Sequence, residues 1–363
     1  MHLPELVALM IPRLYENTDT TWTTFGICPL PDAISCYVTE ERNGEYTLEM
    51  EYPRGGQWAN EIIVDRIILA DPHDGATHAQ PFRIKEVTFD MSGNMVIQAE
   101  HISYQLNNVI IGIGTYNYTT AATMWSAIAA GRIAGTNPFT FSSDIATVRA
   151  FGIEYQEPAP FRRVLGGEDG SMQYMFGGEF EWDRYTVNLH ASRGADNGVK
   201  IAYTKNLTGL TYDIDMTDMV TGVVAYWKDE NDHAQNAQAT TNDYAFNHFE
   251  IVNATEAFPV KPSTQELKTW AQNWLASNAK DPELSVEVKF IPLWQTEEYK
   301  DFAALEHVAL CDTVEVIYPL LNIDVKAKVV RTVYDVLMDR YTELTISTVK
   351  KSLADTILQL MEK

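Results

Sequence analysis

The sequence has little cysteine, little positive charge and no long apolar run. Its three cysteines are odd in number and form no CxxC pair, which argues against a zinc framework. Lysine and arginine number 27 against 50 aspartates and glutamates, so the formal net charge is −23. This balance argues against binding nucleic acid through its phosphates, which requires clustered basic side chains. No run approaches the ~20 apolar residues needed to span a bilayer.

The sequence also lacks the familiar local motifs of hydrolases. It contains no GxSxG or HExxH motif, and no cysteine is followed by a suitably placed histidine and asparagine. Neighbouring acidic residues that could serve a glycosidase are bound to occur among so many carboxylates, and no local pattern favours one pair. We therefore predict no catalytic residue, no cofactor-binding residue and no metal ligand.

Signals for secretion are missing as well. The first residues have neither a basic segment nor a small-residue cleavage site, so a signal peptide is not expected. Three cysteines without a disulfide pattern fit assembly in a reducing cytoplasm.

What is present is an ordinary globular composition. Hydrophobic residues make up 45% of the chain, enough for real cores, and the length of 363 residues predicts two to four domains. The acidity allows two interpretations. Carboxylates could line a pore through which DNA slides without sticking, or they could simply keep the protein soluble.

Alternating apolar and polar residues predict that most of the chain is β-structure. Residues 25–53 contain a hairpin that turns at Asn43-Gly44, a preferred pair for a tight primed turn. Residues 81–111 contain a second hairpin that turns at Ser92-Gly93-Asn94. The same period of two, which marks strands with one buried face, recurs in residues 284–348.

Other segments have helical or loop character. The helix predicted at 263–278 begins with a capping box of Ser263 and Glu266, and its tryptophans Trp270 and Trp274 lie on the apolar stripe expected to face a core. Residues 228–250 are polar without periodicity and are predicted to be a loop. Further helices are predicted at 121–134 and 349–363, further strands at 61–70, 179–190, 199–203 and 210–215, and short strands or turns at 139–142 and 145–148.

Two groups of residues suggest acid–base or metal chemistry, and each has a simpler structural explanation. His73 and His78, with Asp71 and Asp74 beside them, could hold a metal, but a polar loop offers no rigid support for ligands. Glu100, His101 and Tyr104 together could suggest acid–base work. A lone histidine that closes a strand and packs in a junction explains the second group better.

Two further groups also favour structural roles. Asp312 could seem catalytic, but it precedes a predicted strand and is typical of a turn. Glu40, Glu41 and Arg42 lie at the tip of the first hairpin, where charged residues are usually solvated.

Residues 161–227 are interpreted as a β-structured joint between two halves of the protein. Glycines at 177–178 and 194–198 begin and connect its strands, since glycine tolerates positive φ. No helix is predicted directly after these glycines, so they do not form a phosphate-binding loop.

Short motifs in this joint and elsewhere resemble the hub proteins at the tips of phage and prophage tails, a family known as prophage tail endopeptidase or tail-associated lysin. The resemblance extends over nearly the whole chain. It is carried by Leu165-Gly166-Gly167, Gly177-Gly178-Glu179-Phe180, Arg193-Gly194 and Lys205-Asn206-Leu207, and by the longer stretches at 32–53, 99–106, 290–301, 309–319 and 326–347. Many relatives have glycine where this chain has Thr204.

The resemblance implies an α+β, mostly β fold with the multidomain architecture of a baseplate hub. Two small β-barrels would be related by pseudo-symmetry, with an inserted α/β domain between them. The implied segments are a first tube-type β-barrel at 1–114, an inserted α+β domain at 115–195, a connecting β segment with polar loop and helix at 196–283, a second tube-type β-barrel at 284–348 and a C-terminal helix at 349–363.

The resemblance further implies a homotrimer. Two similar barrels in each copy would match a hexameric distal tail protein at the virion tail tip, around a path through which DNA passes without specific binding. Tape measure protein and tail fibre or receptor-binding proteins would be other partners, and assembly would occur in the bacterial cytoplasm of a Gram-positive host. Longer relatives carry peptidoglycan-cutting domains after the hub. Because this sequence stops where the hub ends, enzymatic activity is not expected.

Two alternative functions remain open. One is a peptidoglycan hydrolase or endopeptidase that acts at the cell wall. The other is a cell-wall carbohydrate-binding adhesin that uses exposed aromatic residues such as Trp182 or Trp227.

Overall fold

The chain forms two compact units. The first comprises Met1–Leu210 and Glu287–Ile346, and the second is built around Thr211–Val286. The division into five segments predicted from the sequence stays a prediction. The computed structural model describes residues 11–73, 76, 78–89, 91, 93–148, 151–166, 170–202, 207–229, 233–241, 246–280, 283–290, 308–319 and 323–348.

The described residues are mostly β-structure, as predicted. The helices are α1 (Ala121–Ala130), α2 (Phe161–Leu165), α3 (Met172–Phe176) and α4 (Thr264–Asn278), with 3₁₀ turns at Ala59–Glu61, Ile102–Asn108 and Thr255–Ala257. The strands are β1 (Arg13–Tyr15), β2 (Cys28–Pro29), β3 (Ser35–Glu41), β4 (Tyr46–Pro53), β5 (Ile67–Ala70), β6 (Gln80–Phe89), β7 (Asn94–His101), β8 (Ile110–Ile111), β9 (Gly114–Tyr118), β10 (Arg132–Ala134), β11 (Thr140–Ser143), β12 (Phe151–Tyr155), β13 (Ala159–Pro160), β14 (Glu179–Asp183), β15 (Thr186–His190), β16 (Val199–Ala202), β17 (Leu207–Asp215), β18 (Gly222–Lys228), β19 (Ala234–Thr240), β20 (Phe249–Asn253), β21 (Glu283–Phe290), β22 (Thr313–Tyr318), β23 (Ile323–Asp335) and β24 (Arg340–Thr348).

One extended sheet in the first unit joins strands from both ends of the sequence. Its order includes the run β24-β23-β3-β4-β7-β6-β5-β1-β2, and β22 pairs with both β23 and β16. The link between early and late strands is the antiparallel pairing of β23 with β3, in which Val333 faces Thr39. No closed barrel occurs among the described residues, so the pseudo-symmetric pair of barrels is not confirmed. Residues 1–114 and 284–348 instead contribute to a shared sheet.

Both predicted hairpins near the beginning of the chain are confirmed. β3 and β4 pair around Asn43-Gly44, where Asn43 has a φ of 61°, a left-handed conformation that asparagine adopts more readily than most residues. β6 and β7 pair around Gly93. The strand predicted at 61–70 is shorter than expected and begins only at Ile67.

The middle of the first unit has a hydrophobic core of its own. α1 packs Trp125 against Phe141 at 4.9 Å and against Phe161 at 4.6 Å between ring centroids. Of the two segments predicted as short strands or turns, 139–142 overlaps β11 and 145–148 contains no strand. The single run predicted at 179–190 is a hairpin of β14 and β15. Arg184, with a φ of 54°, turns the chain between them. The short helices α2 and α3 were not predicted, because one turn and a half is too short to reveal a helical period.

The second unit packs α4 on a small sheet. β18 pairs antiparallel with β19 and parallel with β20. The capping box of α4 is confirmed: Glu266 N donates to Ser263 Oγ at 3.2 Å, and Ser263 N donates to Glu266 Oε2 at 2.8 Å. Trp270 and Trp274 pack against the core of this unit, as predicted.

The loop predicted at 228–250 is wrong, because this range contains β19 and the start of β20. The buried side of β19 carries only Ala237 and Ala239, while its other side is polar. Alanines give too weak a hydropathy signal to reveal the alternation. The helix predicted at 349–363 lies outside the described residues.

None of the helices in the described part of the chain is long and apolar enough to cross a membrane.

Candidate functional site

Motifs that are far apart in the sequence meet at one junction in the first unit. The turn between β3 and β4 bonds to the start of β14: Asn43 Nδ2 donates to Gly178 O at 3.0 Å, and Phe180 N donates to Asn43 Oδ1 at 2.7 Å. Gly178 has a φ of 91°, and a Cβ there would lie 2.6 Å from His190 O. The Asn-Gly turn and the Gly-Gly-Glu-Phe segment are therefore two sides of one contact.

Charged side chains hold this junction together, and we call Glu40, Arg42, Glu179, Arg193 and Lys328 the junction network. Arg193 Nη1 lies 3.2 Å from Glu40 Oε1, with side chains only 13% and 6% exposed. Lys328 Nζ lies 2.9 Å and 3.0 Å from the Glu179 carboxylate oxygens. Arg42 Nη1 approaches the same carboxylate at 3.4 Å. The network thus joins β3, β14 and β23 through largely buried ion pairs.

The electrostatics favour a charged Arg193. Burial by itself lowers the pKa of this guanidinium, but the Glu40 carboxylate raises it, and the net effect is a raised pKa. The Arg193 side chain also donates to Phe180 O at 2.6 Å, and its backbone N–H donates to Glu179 Oε2 at 2.5 Å. Arg193 therefore bridges both carboxylates of the network.

The Arg-Gly turn is tied to the segment that contains Asp312. Ala195 N donates to Asp312 Oδ1 at 2.6 Å, and Ala309 N donates to Asp312 Oδ2 at 2.8 Å. Thr313 N in turn donates to Ala195 O at 2.9 Å. Both carboxylate oxygens of Asp312 are thus occupied by backbone groups, as expected of a turn-forming aspartate.

His101 occupies a closed aromatic environment at the end of β7. Its ring is fully buried, stacks on Tyr46 at 4.3 Å between centroids and meets Phe82 edge-on. Ser103 N donates to His101 Nδ1 at 3.3 Å, which leaves Nε2 to donate to Gln80 Oε1 at 3.3 Å. Burial, and then the charge of Arg162, lowers the pKa of His101 well below its ordinary value. The histidine therefore remains neutral and packs in a junction, as predicted.

Glu100, the residue before His101 in β7, forms an ion pair with Lys85. Its carboxylate lies 3.4 Å from Lys85 Nζ.

The described residues of the loop with two histidines do not bring a ligand set together. His78 Nδ1 lies 3.0 Å from Asp183 Oδ2, and Gln80 Nε2 donates to the other oxygen of that carboxylate at 2.9 Å. Asp74 lies outside the described residues. Across the described ranges no group of three or more His, Cys, Asp or Glu side chains could hold a metal ion.

Asp71 at the start of this loop makes the stability depend on pH. Burial, and then the nearby Asp339 carboxylate, raises the pKa of Asp71 to about 6. This pKa exceeds the ~3.9 of an aspartate in the unfolded chain, so the folded state binds the proton of Asp71 more tightly. The stability that this proton contributes is present below about pH 4 and is lost as the pH rises to about 6. We expect Asp71→Asn to raise the free energy of unfolding by about 1–2 kcal/mol at neutral pH and by much less near pH ~4.

Thermal unfolding at the two pH values tests this expectation, with the exposed Asp218→Asn as control. An equal gain at both pH values would contradict it.

Trp227 and Trp182 do not offer free ring faces. Trp227 is only 4% exposed, and its Nε1 donates to Phe258 O at 2.9 Å. Trp182 stacks on Phe180 at 5.7 Å between centroids, and Arg162 Cζ lies 5.3 Å from its ring. The use of Trp227 as an exposed aromatic platform is therefore wrong, while Trp182 is half-buried.

The solvated hairpin tip predicted for Glu40, Glu41 and Arg42 is also wrong in part. Glu40 is only 5% exposed and pairs with Arg193, while Arg42 pairs with Glu179. A signal was present, because Glu40 lies in phase with the buried Cys36 and Val38 along β3. Because Glu40 is charged, it was predicted to be exposed, although the alternation along β3 places it on the buried face of the strand.

Comparisons with known proteins agree with this architecture. Residues 195–357 match the family model of the prophage endopeptidase tail, a little under half of the chain. This match includes Asp312 and Lys328 of the site described above. No curated protein sequence matches the chain.

Three solved structures share the fold over nearly the whole length. Prophage tail protein gp18 from Listeria monocytogenes EGD-e is 15% identical with a TM-score of 0.57, and the match covers 97% of this chain and 98% of that one. The 43 kDa tail protein of prophage MuSo2 from Shewanella oneidensis is 10% identical with a TM-score of 0.62, covering 95% and 99%. The tail protein from Neisseria meningitidis MC58 is 10% identical with a TM-score of 0.56, covering 95% and 98%.

The resemblance inferred from the sequence motifs is thereby confirmed: the chain is similar in fold to prophage tail proteins over nearly its whole length, and residues 195–357 match the prophage endopeptidase tail family.

Proposed function

We propose that the chain is a structural hub protein of a phage or prophage tail tip. The observation that carries this proposal is the junction network. The motifs that resemble the hub family meet there to bind strands to one another through Glu40, Glu179, Arg193 and Lys328. Such an arrangement builds a rigid scaffold, because each charge is paired and largely withdrawn from water.

In the proposed assembly three copies form a ring beneath a distal tail protein, around the path of the DNA. Residues 1–114 and 284–348 would form tube-type domains that face this partner, and 115–195 an inserted domain. A net charge of −23 supports passage of DNA without specific binding, because carboxylates repel phosphates. The ring would lie at the virion tail tip after assembly in the bacterial cytoplasm, in contact with tape measure and tail fibre or receptor-binding proteins.

We expect the isolated chain to be a monomer or weak trimer at low salt. Like charges repel across each new interface, and salt screens this repulsion within a ~10 Å Debye length at ~0.1 M. Trimer should therefore increase with salt and protein concentration, and increase further when the distal tail protein of the same phage is added. Multi-angle light scattering across a salt series measures this, and a chain that stays monomeric throughout and does not bind that partner would contradict the hub assignment.

The name of the matching family suggests one alternative function, that of an endopeptidase or other peptidoglycan hydrolase. The hub proposal holds that this chain has no such activity, and the bonds made by His101 and Asp312 support it. A zymogram with cell-wall peptidoglycan separates the two functions, with lysozyme as positive control. A lysis band from the purified chain would favour the hydrolase.

A further inference from the structure

Arg162 in α2 lies between two aromatic rings. Its Cζ is 3.8 Å from the centroid of the Tyr104 ring and 5.3 Å from that of Trp182. Its Nη1 donates to the neutral hydroxyl of Ser103 at 3.0 Å. The nearby Glu100 acts on Arg162 electrostatically, but the Glu100 carboxylate is paired with Lys85 at 3.4 Å. In the described part of the chain, Arg162 thus has no carboxylate as a direct ion-pair partner.

The stack of Tyr104, Arg162 and Trp182 borders a pocket of about 230 Å³. Gln173 also lines this pocket, and its amide makes no hydrogen bond with the described residues. Gly166 forms part of the wall, where a Cβ would lie 3.0 Å from Gln173 Oε1. The pocket therefore brings the guanidinium of Arg162 and the amide of Gln173 to one wall-lined space, in which the described residues supply no carboxylate to either group.

The geometry of a stacked guanidinium selects its ligand. The Tyr104 and Trp182 rings pack against the guanidinium, whose N–H donors lie in its plane and match the two oxygens of a carboxylate. Burial lowers the pKa of Arg162, and cation–π contacts offset only part of the cost of removing this charge from water. An entering anion would offset more of that cost.

The charge and shape of the pocket favour a carboxylate on a peptide over other anions and over sugars. A single guanidinium matches a single negative charge better than a doubly charged phosphate. Arg162 already packs on the rings of Tyr104 and Trp182, and Phe180 stacks on Trp182, so less aromatic surface is left on which a sugar could stack. The Gln173 amide can bond to a peptide group beside the carboxylate.

We propose that this pocket binds the side-chain carboxylate of an acidic peptide segment from another protein. The guanidinium of Arg162 receives the carboxylate in a bidentate contact, and Gln173 bonds to the adjacent backbone. Tyr104 and Trp182 hold the guanidinium plane in position. This site is independent of the hub assignment, because it requires only the geometry around α2.

Isothermal titration calorimetry on the full chain tests the proposal with two matched probes. One is a short capped glycine-rich peptide with a central glutamate, and the other has glutamine in its place. We expect the glutamate peptide to bind at least about tenfold more tightly, because only it carries the charge that the guanidinium pairs with. Inorganic phosphate and acetate serve as further probes, and tighter binding of phosphate than of the glutamate peptide would overturn the choice of ligand.

Variants locate the binding. Arg162→Lys keeps the charge but loses the planar fork, and we expect it to weaken the glutamate peptide about tenfold. Arg163→Lys changes the neighbouring, exposed arginine of α2 and should leave binding unchanged. Gln173→Leu provides a second pocket variant in case Arg162→Lys does not fold, and we expect several-fold weaker binding. Unchanged affinity in a folded Arg162→Lys or Gln173→Leu protein would refute the site.

One competing occupant belongs to the chain itself. Glu168 and Asp169 follow α2 in the sequence and lie outside the described residues. If the glutamate peptide bound only after Glu168→Gln and Asp169→Asn were introduced together, the pocket would accept an internal carboxylate and the proposal of an external ligand would be wrong. The same conclusion would follow if no peptide bound to either form.

Discussion

Replacing Gly194 with alanine should destabilise the folded chain by about 3 kcal/mol or more. A Cβ at this position would lie 2.2 Å from Cys311 O and 2.5 Å from Asp312 N, both of which are backbone atoms. Gly194 also has a φ of 73°, a left-handed conformation that costs an alanine ~1–2 kcal/mol even without a clash. Relief requires the Arg-Gly turn to move away from the Asp312 segment, which would break the hydrogen bonds between them.

Gly198→Ala provides the matched control for this prediction. Gly198 has a similar φ of 71°, but a Cβ there would meet nothing within 4 Å. Only the conformational cost applies, so we expect about 1–2 kcal/mol. Urea unfolding followed by circular dichroism gives both free energies, and equal losses in the two variants would show that the close approach at Gly194 does not constrain the junction.

Strand positions were predictable where one face of the strand is fully buried and carries large side chains. In β4 the buried Tyr46, Leu48 and Met50 alternate with polar residues, so the period of two is visible. In β19 the buried positions are alanines, and the same period is hidden. Sequence reasoning therefore detected the large-residue core and missed strands that pack through small residues.

Long-range pairing could not be inferred from periodicity. β23 and β3 each show alternation, but nothing in either strand indicates that they pair with each other. The predicted barrels treated the two ends of the chain as separate bodies, whereas the register of Val333 against Thr39 joins them in one sheet. Alternation defines the faces of a strand, and the choice of partner depends on packing throughout the unit.

The candidate site was only partly accessible from the sequence for the same reason. The Gly-Gly-Glu-Phe and Arg-Gly motifs were identified, but the ion pairs that connect Glu179 and Arg193 to Lys328 and Glu40 arise from three distant strands and a turn. A charged residue in a strand is ordinarily assigned to the solvent side. Buried ion pairs reverse that assignment and cannot be recognised until the partner is known.

Removing the charge of Arg193 should cause the largest loss of stability among the ion pairs described. We expect Arg193→Met to lower the free energy of unfolding by about 3–5 kcal/mol, because Glu40 would remain buried without its partner. Lys200→Met is the control, since it breaks the surface pair with Glu315, whose side chains are 55% and 27% exposed. The control should cost less than about 0.5 kcal/mol.

A second substitution distinguishes two contributions to this loss of stability, the unpaired buried charge of Glu40 and the lost packing of the Arg193 side chain. In Arg193→Met the Glu40 carboxylate would be buried without its partner, so Glu40→Gln in the same chain should restore about 1 kcal/mol or more at neutral pH. Chemical unfolding of wild type, the two single variants and the double variant measures this effect. Two results would contradict this role of the ion pair. One is a loss in free energy of unfolding for Arg193→Met that is no larger than the loss for Lys200→Met. The other is a double variant in which Glu40→Gln adds its full destabilisation to that of Arg193→Met.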